Sequence, residues 1–244
     1  MPTHATGARL ARDARTRRIT SVLKNTYPKA TIILTYANPW ELLVAVILSA
    51  QCTDTVVNSV TEKLFKKYTR IEDYVRADAA EFEKDIRPTG FFRNKARNIL
   101  ATAKIIIGKH HGNVPDTMEE LTALPGVARK TANIILGNAF GKVEGIAVDT
   151  HVLRLSQRLR LVLLDRIGGK KSLVFDRDGE EIVDFVKDAD PVKIERELMA
   201  VIPRNDWFQL TYLLIDHGRA ICKARKPNCT ACILRALCPS SRTD

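Results

Sequence analysis

The sequence predicts a mostly α-helical protein, and three observations carry that prediction. Apolar residues recur three and four apart over Trp40–Leu48, Val56–Tyr68, Ile99–Ile107 and Ile134–Phe140, the spacing of one helix face. Strand-type alternation is nearly absent. Gly and Pro punctuate short connections at Pro88–Gly90, His111–Asp116 and Leu124–Gly126, as many short helices require. With 244 residues, 45% of them hydrophobic, the chain can bury a core, either as one large domain or as two small ones sharing a cleft.

Taken in order, the arginine-rich start MPTHATGARLARDARTRR resembles a transit peptide in composition. Asp13 and the continuation ITSVLKN fit a basic surface helix better. The run WELLVAVILSA is too short to span a bilayer and is interrupted by Glu41 and Ser49, so it predicts a buried helix. A soluble intracellular protein with no membrane partner is expected. Residues 161–190 are polar and poorly periodic, which predicts a long excursion with one short hairpin at SLVFDRDGEEIVDF. A break at Pro203–Asp206 precedes the apolar helix WFQLTYLLIDHG, and the chain ends in a cysteine-rich tail.

Charge narrows the partner. Lys and Arg number 39 against 28 Asp and Glu, a formal charge of +11, and such a surface attracts phosphates and releases counterions on binding. Nucleic acid is the leading candidate.

In the stretch DTMEELTALPGVARKTANIILGNAF, Asp116 and Glu119 form a capping-box pattern that starts a short helix. The chain turns at Pro125 and Gly126 and restarts as a helix over Ala128–Phe140. Such a helix, hairpin and helix offers backbone N–H groups at a helix start, from Gly126 and its neighbours Ala128 and Arg129, which bind phosphate without base preference. Lys130 lies at the positive end of that helix dipole, where a second positive charge is disfavoured and part of the amine is left neutral, hence nucleophilic. The alternative is that Arg129 and Lys130 are only phosphate contacts.

The run GIAVDTHVLRLSQRL delivers Asp149 to the start of another helix. Asp149 is either its N-cap or, paired with Lys130, a general base or electrostatic partner.

Cys222, Cys229, Cys232 and Cys238 follow the pattern C-x6-C-x2-C-x5-C, which points to metal ligands. Zinc usually takes two C-x-x-C knuckles and only one is present, whereas an iron-sulfur cluster held by four thiolates matches the count. Between the first two cysteines, KARKPN displays Lys223, Arg225 and Lys226, which suit phosphates. Cys52, by contrast, is expected to be a core thiol on an apolar helix.

Together LSAQCTD, GFFRNKA, LPGVARKTAN, VDTHV and the four-cysteine tail resemble the endonuclease III family of bifunctional DNA glycosylases with a helix-hairpin-helix and an iron-sulfur cluster. The match spans roughly Thr31–Arg160 and Arg204–Cys238. The resemblance implies an all-α helix-hairpin-helix glycosylase fold of two helical domains with a cleft between them: a six-helix domain over 31–143, and a cluster domain from 1–30 and 144–244. It further implies a [4Fe-4S] cluster on the four cysteines, and as partner double-stranded DNA with damaged bases or abasic sites. The protein is expected to act as a monomer in the cytoplasm, associated with the nucleoid.

By the same resemblance Lys130 is the amine that attacks the sugar carbon and forms a Schiff base, Asp149 assists base departure and proton movements, and β-elimination cuts the strand at damaged, oxidised pyrimidines. Gln51 and Phe91 match residues that enter the hole left by the extruded nucleotide; otherwise they would be a helix-terminal amide and a buried aromatic. Ala128 stands where the hairpin commonly has a second glycine. Adenine-mismatch glycosylases lack the lysine and carry a glutamate in the helix that here reads LLVAVILSAQ, and thymine-mismatch glycosylases generally lack the amine. A non-catalytic DNA-binding module is the competing reading from another class.

Overall fold

The computed structural model describes residues 3–243, with side chains from residue 12 onward, so Met1, Pro2 and Asp244 of the expected cluster domain lie outside it, as do the first side chains of the arginine-rich start. Contacts divide the chain into two units, Ile32–Glu144 and a second that joins the residues before Ile32 to those from Gly145. Helix α1 (Thr3–Thr26) belongs to the second unit.

The first unit carries α2 (Pro39–Leu48), α3 (Asp54–Lys67), α4 (Ile71–Arg76), α5 (Ala79–Ile86), α6 (Phe92–His110), α7 (Met118–Thr122) and α8 (Arg129–Phe140). That is one helix more than the six implied by resemblance, because Ala77 is extended and Asp78 caps a new start through the Glu81 amide at 2.9 Å. Helix α2 is the hub. Asn38 caps it by accepting from the Glu41 amide at 2.9 Å, and Pro39 occupies the first turn, where its missing N–H costs nothing. Trp40 and every residue from Leu42 to Leu48 are buried, because α3, α6 and α8 pack around the helix. Trp40 meets Tyr74 edge-on at 5.0 Å, and Tyr74 meets Phe82 at 5.7 Å, which seats α4 and α5 on the same core.

Two local expectations are corrected. The N-cap of α7 is Thr117, one residue later than Asp116: Thr117 Oγ1 accepts from the Glu120 amide at 3.3 Å and donates to the Glu120 carboxylate at 2.6 Å, while Asp116 pairs with Lys142 at 2.6 Å. Cys52 lies in the turn after α2 rather than on the helix, and is half-buried against the core.

The second unit adds α9 (Thr150–Arg158), the hairpin β1 (Ser172–Arg177) and β2 (Glu180–Val186), α10 (Pro191–Met199) and α11 (Trp207–Ala220). The strands pair antiparallel across Asp178-Gly179, both at positive φ (56° and 81°), the chemistry of a two-residue hairpin turn. Residues 161–190 are not uniformly a polar excursion. Leu161, Val162, Ile167, Val186 and Ala189 join the core with Ile19, Leu155, Ile194 and Leu213, while the hairpin tip and most polar residues between these anchors are solvated. At its base, Asp184 makes a two-pronged pair with Arg158 of α9 (2.8 and 2.6 Å), both side chains buried. Arg242 also reaches Asp184 at 3.2 Å, so it is removal of Asp184 that would strand a buried charge, that of Arg158, which typically costs about 3–5 kcal/mol. No helix among the described residues is long and apolar enough to cross a membrane.

Candidate active site

The hairpin before α8 is built by Leu121, Leu124 and Val127, all buried, whose spacing turns the chain tightly between two helices. Val127 N–H closes the turn on Leu124 C=O at 3.1 Å, and Thr102 Oγ1 donates to Pro125 C=O at 3.2 Å. Gly126 has φ 78°, and a Cβ there would come within 2.7 Å of Asn98 Nδ2 and 3.1 Å of Asn98 Cβ, so both conformation and space require glycine. Ala128, at φ −91° and ψ 170°, is extended backbone that any residue adopts, so the absent second glycine causes no strain. It is the N-cap of α8 and its side chain caps nothing. Lys130 follows as the second residue of α8, exposed, beside the half-buried Arg129.

Two other predicted DNA contacts occupy the same unit. Gln51, in the turn after α2, and Phe91, at the N-cap of α6, are both exposed, Phe91 by 64%, and both have left-handed backbones (φ 54° and 48°). Neither is the helix-terminal amide or buried aromatic of the alternative reading. Non-glycine residues in this conformation cost on the order of 1–3 kcal/mol and cluster where a side chain must be presented.

In the second unit, Asp149 is the N-cap of α9. Its Oδ1 accepts from the His151 and Val152 amides, both at 2.8 Å, and Oδ2 lies 2.9 Å from His151 Nδ1. The preceding segment is fixed by burial of Ile146 and Val148 and by Thr211 Oγ1 of α11, which donates to Ala147 C=O at 3.1 Å. His151 is held by Gly218 of α11, where a Cβ would come within 2.8 Å of the ring. The carboxylate is therefore both cap and oriented group.

Cys222, Cys229, Cys232 and Cys238 line one pocket with His217 and Arg158. Cys222 N–H bonds His217 C=O, and Cys232 N–H bonds Cys229 C=O. Arg158 Nη1 donates to Cys222 Sγ at 3.3 Å and to Lys223 C=O at 2.8 Å, and Nη2 to Ala224 C=O at 2.8 Å. Burial pushes the Cys238 thiol up to about 12, and the three neighbouring sulfurs push it the same way, so a set of ionised thiolates here needs a cationic partner. Burial also lowers His217 to about 4; the neutral ring lies 3.0 Å from the Tyr27 hydroxyl and 3.5 Å from Cys232 Sγ.

Among the described residues, no three His, Cys, Asp or Glu converge on a point that one metal ion could occupy. Four thiols that line one pocket match the ligand count of a four-iron cluster, in which each thiolate binds its own iron. Lys223, Arg225 and Lys226 are exposed on the loop that Arg158 pins from below.

Sequence reasoning missed Lys95, Arg158, Asp184, Thr211 and Gly218. None of them carries a local signal, because each is defined by a partner remote in the chain.

A family model described as HhH-GPD superfamily base excision DNA repair protein matches residues 44–167. The chain is 47% identical over 230 residues to endonuclease III of Synechocystis sp., covering 94% of each protein. To endonuclease III of Bacillus subtilis it is 43% identical over 212 residues, covering 87% of this chain and 86% of that one. A solved non-covalent endonuclease III–DNA complex matches with a TM-score of 0.81 at 40% identity, over 94% of this chain and 96% of that chain. A trapped covalent endonuclease III–DNA intermediate matches equally, over 94% of this chain and 97% of that one. The chain belongs to the HhH-GPD superfamily of base excision DNA repair proteins and, within it, to the endonuclease III family.

Proposed function

We propose that Lys130 and Asp149 act on one extruded nucleotide, and that the chain removes damaged pyrimidines from duplex DNA and cuts the strand. As a member of the endonuclease III family the chain is a bifunctional glycosylase and abasic-site lyase; the roles of individual residues are our reading. Lys130 Nζ attacks C1′ of the sugar through its nitrogen lone pair. The C1′–N bond breaks, the base leaves with the electron pair and takes up a proton, and the amine loses one. Ring opening gives the imine. Loss of a C2′ proton then expels the 3′ phosphate as the C3′–O bond breaks, and water hydrolyses the imine to restore the lysine. Asp149, its plane fixed by amides and His151, offers negative charge to the cationic sugar and accepts or returns protons.

The uncapped start of α8 receives a phosphate on the strand being cut, which brings the sugar to Lys130. Gln51 and Phe91 fill the space left in the stack, Gln51 toward the orphaned base and Phe91 as a wedge. The four cysteines hold a [4Fe-4S] cluster, which when bound closes the tail into a rigid loop; Lys223, Arg225 and Lys226 on that loop contact phosphates. The unit from residues 1–31 and 145–244 is thus the cluster domain. The protein works as a monomer on nucleoid DNA.

The observation that carries this reading is Lys130, an exposed amine in the first turn of an uncapped helix behind a glycine-dependent hairpin. Borohydride treatment during reaction with a duplex bearing an oxidised pyrimidine tests it. A covalent protein–DNA species on denaturing electrophoresis is expected; strand cleavage without any trapped species would overturn the imine and with it the role of Lys130.

A further inference from the structure

Lys95 is buried, 5% exposed, and nothing in the proposed chemistry uses it. Its Nζ donates to Leu48 C=O and to Thr89 C=O, each at 2.8 Å. Leu48 is the last residue of α2, three before Gln51; Thr89 stands two before Phe91. The two carbonyls thus belong to the roots of the two exposed left-handed turns, and one amine ties them together. Lys95 is also bound to Phe91 along the backbone, since its own N–H donates to Phe91 C=O at 3.2 Å.

We infer that Lys95 is a positioning residue, a clamp that sets the distance between the turns presenting Gln51 and Phe91 and so holds both at the spacing needed to enter the duplex together. The inference rests on the proposed roles of Gln51 and Phe91. Three features support a clamp over an incidental core lysine. A buried ammonium is costly unless its hydrogens find acceptors, and here two of its three address carbonyls outside any regular ladder. One of these lies at the C-terminal end of α2, where a positive group complements the helix dipole. The turns themselves are strained, and a strained turn holds its shape only when its surroundings over-determine it. Burial pushes the ammonium below its usual range, yet a neutral amine still carries two hydrogens, one for each carbonyl. The clamp therefore persists if the proton is lost.

The test is a mutant cycle on the full-length, cluster-loaded protein, reading affinity for a duplex with a non-cleavable abasic analogue and, in parallel, borohydride trapping on a single-stranded abasic oligonucleotide, which needs no wedge. Lys95→Met should weaken duplex binding about tenfold in the wild-type background and less than about twofold in Gln51→Ala/Phe91→Ala, because a residue acting through others couples to them. Lys95→Gln, which keeps two amide hydrogens on a shorter arm, should fall between, and carries the same comparison if Lys95→Met does not fold. The loss on duplex should exceed any loss on single strands by about the same tenfold factor. Equal losses in both backgrounds, or on both substrates, overturn the clamp. Should Gln51→Ala/Phe91→Ala bind the duplex as the wild type does, the probe reading fails and the clamp with it.

Discussion

Two helices of this protein begin in opposite ways. Helix α9 is closed by its own anion: Asp149 Oδ1 takes two first-turn amides, and Oδ2 meets His151. Helix α8 begins behind Ala128, whose methyl group can accept nothing. Both starts concentrate partial positive charge. At α9 that charge fixes a carboxylate; at α8 no N-cap side chain takes it up, and an exposed lysine stands beside it. The contrast separates two jobs that a helix start can do, orienting a side chain from within and receiving an anion from outside.

The sharpest way to break the contrast is to remove the group each start presents. Lys130→Gln should abolish borohydride trapping and strand cleavage while leaving duplex affinity within about threefold, since the polar reach is kept and only the nucleophile is lost. Persistent trapping would take Lys130 out of its role. Asp149→Asn should lower turnover at least about hundredfold with a melting temperature near that of the parent, because asparagine caps as well as aspartate but carries no charge. If Asp149 is only a cap, activity in that variant stays near normal. Asp149→Ala separates the parts further: it should lose the same activity and also about 1 kcal/mol of stability.

Of smaller effect is the change of Lys223, Arg225 and Lys226 together to alanine. These side chains are exposed on a loop whose backbone Arg158 holds, so the fold should survive. Affinity for damaged and undamaged duplex should drop by similar factors, and the slope of log affinity against log salt should fall by roughly 0.9 per lost phosphate contact. A loss confined to damaged DNA would show that the loop reads the lesion.

Much of this was legible beforehand, and what was not has a common cause. The buried α2, the turn at Gly126 and the cap at Asp149 are set by residues adjacent in sequence, so spacing reveals them. The N-cap of α7 falls one position later than expected because DTMEE offers two registers, Asp116 with Glu119 and Thr117 with Glu120. The second register is taken, and Asp116 is left to engage Lys142, beyond α8. Residues 161–190 read as polar overall, but their apolar residues come in short runs such as Leu161–Leu164 and Phe185–Val186, which reach the core from a hairpin and its flanks and are too short and scattered for a helical period to register. Lys95, Arg158 with Asp184, and Gly218 with His151 all depend on partners far along the chain, and no local pattern announces a contact of that kind.

The smallest change is the one that would make α8 resemble α9. Ala128 is exposed and already has the extended backbone of an N-cap, so Ala128→Asp introduces no strain. Its carboxylate would accept from the first-turn amides as Asp149 does in α9. Such a cap is worth about 0.5–2 kcal/mol, which for a chain of this length should raise the melting temperature by about 2–4 °C per kcal/mol. The same anion would occupy the place proposed for a DNA phosphate, so affinity for damaged and undamaged duplex should weaken together, by about tenfold at low salt and less as salt screens the repulsion. Stability and affinity would then move in opposite directions from one substitution, which neither misfolding nor a remote surface charge produces. Thermal melting and a binding titration on the same preparation measure both. A variant that melts higher and binds as well as the parent would mean that the start of α8 holds no phosphate, and that Lys130 reaches its sugar by another route.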